Sequence, residues 1–123
     1  MPQYLLLVYT DETDVPAMGT PERDAQHAAW FRVTEELREA GHLVAGDALH
    51  PVASATTVRE RDGGRLVTDG PFAETREQLG GYYLIDVPDL DTAIDWAGRL
   101  PNVTYGSVEV RPVVNFMAAV EGE

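Results

Sequence analysis

At 123 residues, with 44% hydrophobic and 24% charged content, the chain reads as one globular domain with enough apolar material for a core. Its formal net charge of −12 argues against a phosphate-backbone partner and disfavours an anionic membrane surface. There is no cysteine, which excludes disulfides and thiolate metal sites, and all nine cations are arginine, which excludes Schiff-base chemistry on a lysine.

Gln3 to Tyr9 is apolar at nearly every position, so it predicts a strand covered on both faces rather than one that alternates. No apolar run approaches the ~20 residues that span a bilayer, and Met1-Pro2-Gln3 lacks the basic start of a signal peptide. The expected location is the cytoplasm. A polar loop leads to Thr20-Pro21, an N-cap followed by proline at the first helical position. The helix is expected to run to about Ala40 and stop at Gly41. Ala29, Trp30, Val33, Leu37 and Ala40 form its apolar stripe, with Gln26 inside the stripe and Arg23, His27 and Thr34 along one border. A packed face whose first turns are this polar fits a cavity mouth, or a frayed first turn.

His42 to His50 predicts a strand ended by Pro51, with Leu43, Ala45, Asp47 and Leu49 on one face. Asp47 among apolar neighbours is either a pocket carboxylate or an edge-strand charge. His42 and His50 would lie about 26 Å apart at the strand rise, too far to share a metal, so no metal site is expected. Thr56 to Glu60 and Arg65 to Thr68 flank Asp62-Gly63-Gly64, a hairpin signal.

Asp69-Gly70-Pro71 then predicts a rigid turn, since glycine permits positive φ and proline fixes its own. The short Asp69 carboxylate can cap local amides or point into a cavity as a base. Leu79 to Val87 is the second long strand, apolar on both faces at Tyr82 to Ile85. Asp89 caps a second helix to about Leu100, with Ala93, Trp96, Ala97 and Leu100 buried. Ser107 to Val114 is the last strand, Val108 and Val110 opposing Glu109 and Arg111. The domain is expected to span residues 1–116, with 117–123 a flexible tail.

The order strand, helix, strand, hairpin, strand, helix, strand predicts an α+β, ferredoxin-like split βαβ fold. Two helices cover one face of a four-stranded sheet. The two doubly apolar strands therefore call for a homodimer whose sheets pack face to face, an α+β barrel of two chains.

The run Asp69-Gly70-Pro71-Phe72-Ala73-Glu74-Thr75, then Glu77-Gln78-Leu79-Gly80-Gly81-Tyr82-Tyr83, resembles the signature of the YCII-related, DGPF-motif family. Tyr4 to Leu7, Glu35-Glu36-Leu37 with Gly41, Ala55 to Val58, and Ser107 to Pro112 extend the likeness along nearly the whole chain. The resemblance implies a ferredoxin-like fold in a dimeric α+β barrel similar to muconolactone isomerases, and a His–Asp pair as active site. For some members it implies a link with extracytoplasmic-function sigma factors. Where relatives often carry histidine in helix 1, this chain has Trp30, and His27 lies one turn earlier on the same helical side.

Two functions follow as expectations. In one, a cleft between the sheet and helix 1 holds Asp69 as base and His27 as acid or orienting partner, with no metal or cofactor. Gln26, Trp30, Asp47, Phe72 and Tyr83 would line it, and the reaction would move a proton beside a carbonyl. In the other, the same cleft belongs to a non-catalytic binding or regulatory module.

Overall fold

The structure is a computed structural model that describes residues 1–116, so the tail expected at 117–123 lies outside the described residues. The elements in order are β1 (Gln3–Thr10), α1 (Pro21–Glu39), β2 (Leu43–Ala48), β3 (Thr56–Arg61), β4 (Gly64–Asp69), β5 (Gln78–Asp86), α2 (Leu90–Ala97) and β6 (Ser107–Pro112). β2-β5-β1-β6 form one antiparallel sheet, and β3 and β4 form a separate two-stranded hairpin. Without the hairpin this is the ferredoxin-like order, an α+β fold as the element pattern predicts.

Local chemistry sets the helix ends. The Thr20 hydroxyl accepts the Arg23 amide at 3.2 Å, Pro21 occupies the first turn, and Gly41 stops the helix at φ +77°. The Asp89 carboxylate takes the hydroxyl and amide of Thr92 at 2.7 and 2.8 Å, bonds that hold its carboxyl below the ordinary range. α2 ends at Ala97, three residues earlier than expected, because a 3-10 turn at Pro101–Thr104 takes over beyond Leu100. Leu100 is nevertheless buried with Ala93, Trp96 and Ala97.

The core lies between the helices and one sheet face. Tyr4, Leu6, Val8 and Ile85 point into it, against Val33 and Leu37 of α1. Ala40, expected in the α1 stripe, is exposed at the helix C-cap. The opposite sheet face presents Leu5, Leu7, Tyr82 and Leu84, each half-buried by its strand neighbours alone. β2 departs from the simple alternation expected of it. Leu43 pairs with Ile85 but Ala45 pairs with Leu84, so Val44 is bulged and the face alternation reverses there. Leu43 faces the core, whereas Ala45 and Asp47 share the open face with Leu84 and Tyr82.

The hairpin turns at Asp62 and Gly63, both at positive φ (+53° and +77°), as a two-residue turn between twisted strands requires. It stands away from the sheet. Its root is held by the amide of Val52 on the Glu12 carboxylate (3.0 Å), the amide of Glu12 on Gln78 (2.9 Å) and the Gln78 amide nitrogen on the Thr75 carbonyl (2.6 Å).

Candidate functional site

A cleft of about 710 Å³ opens between α1, the loop after β1 and one end of the sheet. That is the size of a small-molecule site. α1 contributes Arg23, Gln26, His27, Trp30 and Thr34; the loop contributes Glu12, Pro16 and Met18; the sheet contributes Gly46, Asp47, Gln78 and Tyr83. The polar first turns of the α1 stripe thus belong to a cavity mouth and not to a frayed end.

The back wall is built by pairing. Tyr83 sits on the helix-side face of β5 and stacks on Trp30 at 6.3 Å between ring centres. Its hydroxyl meets the Thr34 hydroxyl at 2.6 Å. Thr34 already donates to the Trp30 carbonyl at 2.8 Å, so Tyr83 is the donor and its lone pairs stay open. Gly46 makes the wall fit: a Cβ there would lie 2.8 Å from the Tyr83 ring and 3.1 Å from the Tyr82 carbonyl.

At the mouth, Arg23 is fixed by two bonds, Nη1 to the Pro16 carbonyl and Nε to His27 Nε2, both at 3.1 Å. A guanidinium donating to Nε2 requires a neutral imidazole with its proton on Nδ1. Arg23 keeps its Nη2 donors without a partner among the described residues. Of the two acidic residues lining the cleft, Glu12 accepts the Val52 amide, and Asp47 turns its carboxylate to the open sheet face, where it accepts the Tyr82 hydroxyl at 2.6 Å.

Of the residues expected to form the site, Gln26, His27, Trp30, Asp47 and Tyr83 line this one cleft. Asp69 and Phe72 do not. Asp69 ends β4 fully outside the cleft, and Phe72 is 77% exposed just beyond it. The structure therefore does not bring Asp69 to His27 within one chain, because the hairpin carrying it projects away. Nor does Asp69 cap an amide: the turn is held instead by the Gly70 amide on the Ala55 carbonyl (2.7 Å) and the Thr57 hydroxyl on the Gly70 carbonyl (2.8 Å), with Gly70 at φ +101°. Glu12, Met18 and Tyr105 were not legible as site residues, since loops bring them to the cleft and no periodic pattern marks them.

These features coincide with a family match. The family model of the YCII-related domain matches residues 2–117. The chain belongs to the YCII-related domain family. An uncharacterized protein of Rhizobium meliloti (strain 1021) is 42% identical over 112 residues, which cover 89% of this chain and 90% of the relative. Across the YCII-related domain described here, no helix is long and apolar enough to cross a membrane, and no cluster of three metal-ligating side chains occurs among the described residues.

One pair in this YCII-related domain has a direct spectroscopic test. The hydrogen bond to Asp47, reinforced by its charge, raises the Tyr82 phenol above its ordinary 10.0. A raised acid stabilises the fold below the unfolded value and loses that contribution as pH rises through the folded one. Ultraviolet titration should show one phenol ionising late, absent in Tyr82→Phe and moved back toward the others in Asp47→Asn. Titration unchanged by Asp47→Asn would mean that the bond does not persist in solution.

Proposed function

We propose that this YCII-related domain binds a small organic anion in the cleft between the sheet and α1. The observation that carries the reading is Arg23. It lines an aromatic-walled cleft in which Glu12 is taken up by the Val52 amide and the Asp47 carboxylate lies on the other sheet face, and it is held by backbone and imidazole with donors to spare. A carboxylate on Arg23 with a planar or cyclic body against Trp30 and Tyr83 satisfies both chemistries. His27 Nδ1–H and the Gln26 amide add donors for a carbonyl or hydroxyl.

A second reading, acid–base catalysis without a cofactor, draws on the same geometry. A neutral imidazole fixed through Nε2 can present Nδ1–H to a substrate carbonyl as an electrophile. The base of that reaction, Asp69, would have to come from a second copy of the chain. A ligand-binding domain of this kind would equally serve as a sensor, the role that relatives linked with extracytoplasmic-function sigma factors suggest. A homodimer through the open sheet face belongs to either reading.

Trp30 supplies the assay, because Trp96, the second tryptophan, is buried in the core away from the cleft. In Trp96→Phe protein, small cyclic carboxylates and lactones should change Trp30 emission and raise the melting temperature, and matched neutral amides should do so less. Arg23→Gln should weaken the carboxylates by about 10–100-fold, the loss expected for one charged hydrogen bond. Equal responses to acids and amides, or an Arg23→Gln variant that binds acids as well as the parent, would dispose of the anion site.

A further inference from the structure

The β3–β4 hairpin carries an uncovered, self-complementary face. Register places Thr56, Val58 and Glu60 of β3 beside Asp69, Val67 and Arg65 of β4 on one side, and all six residues are exposed. Val58 and Val67, directly paired at the centre, are 60% and 55% exposed. The other side is differently treated. There the Thr57 hydroxyl and Arg59 guanidinium bond to the carbonyls of Gly70 and Phe72, so the turn after β4 folds across it. An isolated two-stranded hairpin is marginal in water without such packing on a face. The bonds at its root hold the hairpin out as a fixed arm, so the valine face does not fold down onto its own domain.

Charge names what covers it. Arg65 at the tip end of the face and Asp69 at its base end make no side-chain hydrogen bond or ion pair among the described residues. We propose that the valine face of the arm packs on the same face of a second copy, the two arms running tip over base about a two-fold axis. Val58 and Val67 then meet their own counterparts, and Arg65 of each chain meets Asp69 of the other. Such an isologous contact needs no surface other than itself.

The alternative two-fold, tip over tip, would set Arg65 against Glu60 of the other chain. It would also bring both domains to one end. The arm's three arginines and three carboxylates cancel, so the rest of each chain holds the whole net charge of −12. Two such domains repel, and the tip-over-base arrangement puts them at opposite ends. Asp69 and Arg65 thereby acquire a purpose independent of the cleft and of any reaction in it.

The face is small, so sedimentation should be run over about 10–500 µM chain, where weak interfaces are visible. Arg65→Asp and Asp69→Arg should each weaken arm-mediated association at least tenfold, and Val67→Thr, which keeps the β-branched shape, should weaken it less. Mixing the Arg65→Asp chain with the Asp69→Arg chain should restore association. One partner then presents two carboxylates where the other presents two guanidiniums, a rescue that only pairing between chains can produce. If the single variants associate like the parent, or the mixture does not recover, the arm contact is wrong. If Arg65→Asp is instead rescued by a Glu60→Arg chain, the tip-over-base geometry is overturned. A parent that uses the sheet face as well should fall by one association step in the arm variants. Should the sheet face take no part, the arm variants become monomers.

Discussion

Leu6→Ala should remove about 2–5 kcal/mol of folding stability, the range for a fully buried leucine whose site collapses only partly. Against a typical total of about 5–15 kcal/mol, this is a large share of what holds the domain folded. Leu6 is 0% exposed, at the middle of β1, between Tyr83 of β5 and Val110 of β6 on the core side. Its loss opens the sheet under both helices at once and leaves Tyr83, the back wall of the cleft, less supported. Leu5→Ala, one residue earlier and on the open face, removes the same atoms from a half-buried position and should cost under half as much in dilute solution. Urea unfolding of both variants measures the difference. Equal costs would mean that the open face is as well packed as the core, and the two-layer description would have to change.

The contrast between Leu5 and Leu6 also shows what a sequence can and cannot display. β1 and β5 read as apolar on both sides, and that is how they stand, one side under the helices and the other uncovered. Thr20-Pro21, Gly41, Asp62-Gly63 and Asp89 are local signals, since each acts through its own φ or its own nearby amides, and each marked its boundary to within a residue or two. The reversal in β2 has no such mark. Val44 bulges because β2 must match β5, and the glycine that lets Tyr83 lie close is Gly46, two residues on. So Asp47 stands on an edge strand and also lines the cleft, and of the neighbours expected on its face Ala45 is there and Leu43 is not.

Asp69 shows the larger gap. Its neighbours Gly70 and Pro71 fix a turn, which is local chemistry and is borne out by the backbone. Where the turn sits relative to His27 depends on the projection of the hairpin. That direction is set by Glu12 and Gln78, which lie 66 residues apart and clamp its root. No spacing in the sequence announces that clamp. The five cleft residues found by reading all sit on α1, β2 or β5, where periodicity speaks; the two placed elsewhere sit on the arm and its loop.

Leu84→Arg should leave the single chain folded and weaken sheet-face association by more than about 100-fold. Leu84 lies on the open face of β5, flanked by Leu5 of β1 and Ala45 of β2, with no carboxylate directly across. Asp47, on the diagonal, already accepts the Tyr82 hydroxyl. In a lone chain the new guanidinium points to water and costs little. Between two sheets it would be buried without a partner, and an unpaired buried charge costs several kcal/mol, each 1.4 kcal/mol being about tenfold in affinity. The apolar strip of Leu5, Leu7, Tyr82 and Leu84 is what motivates the contact, since the two helices sit on the other side of the sheet. Sedimentation of the variant beside Leu84→Met, which keeps volume and polarity, is the measurement. An Arg65→Asp variant that is monomeric at hundreds of micromolar, or a Leu84→Arg variant that associates like Leu84→Met, would remove the sheet face as an interface and leave the strip to be covered by something other than a second copy.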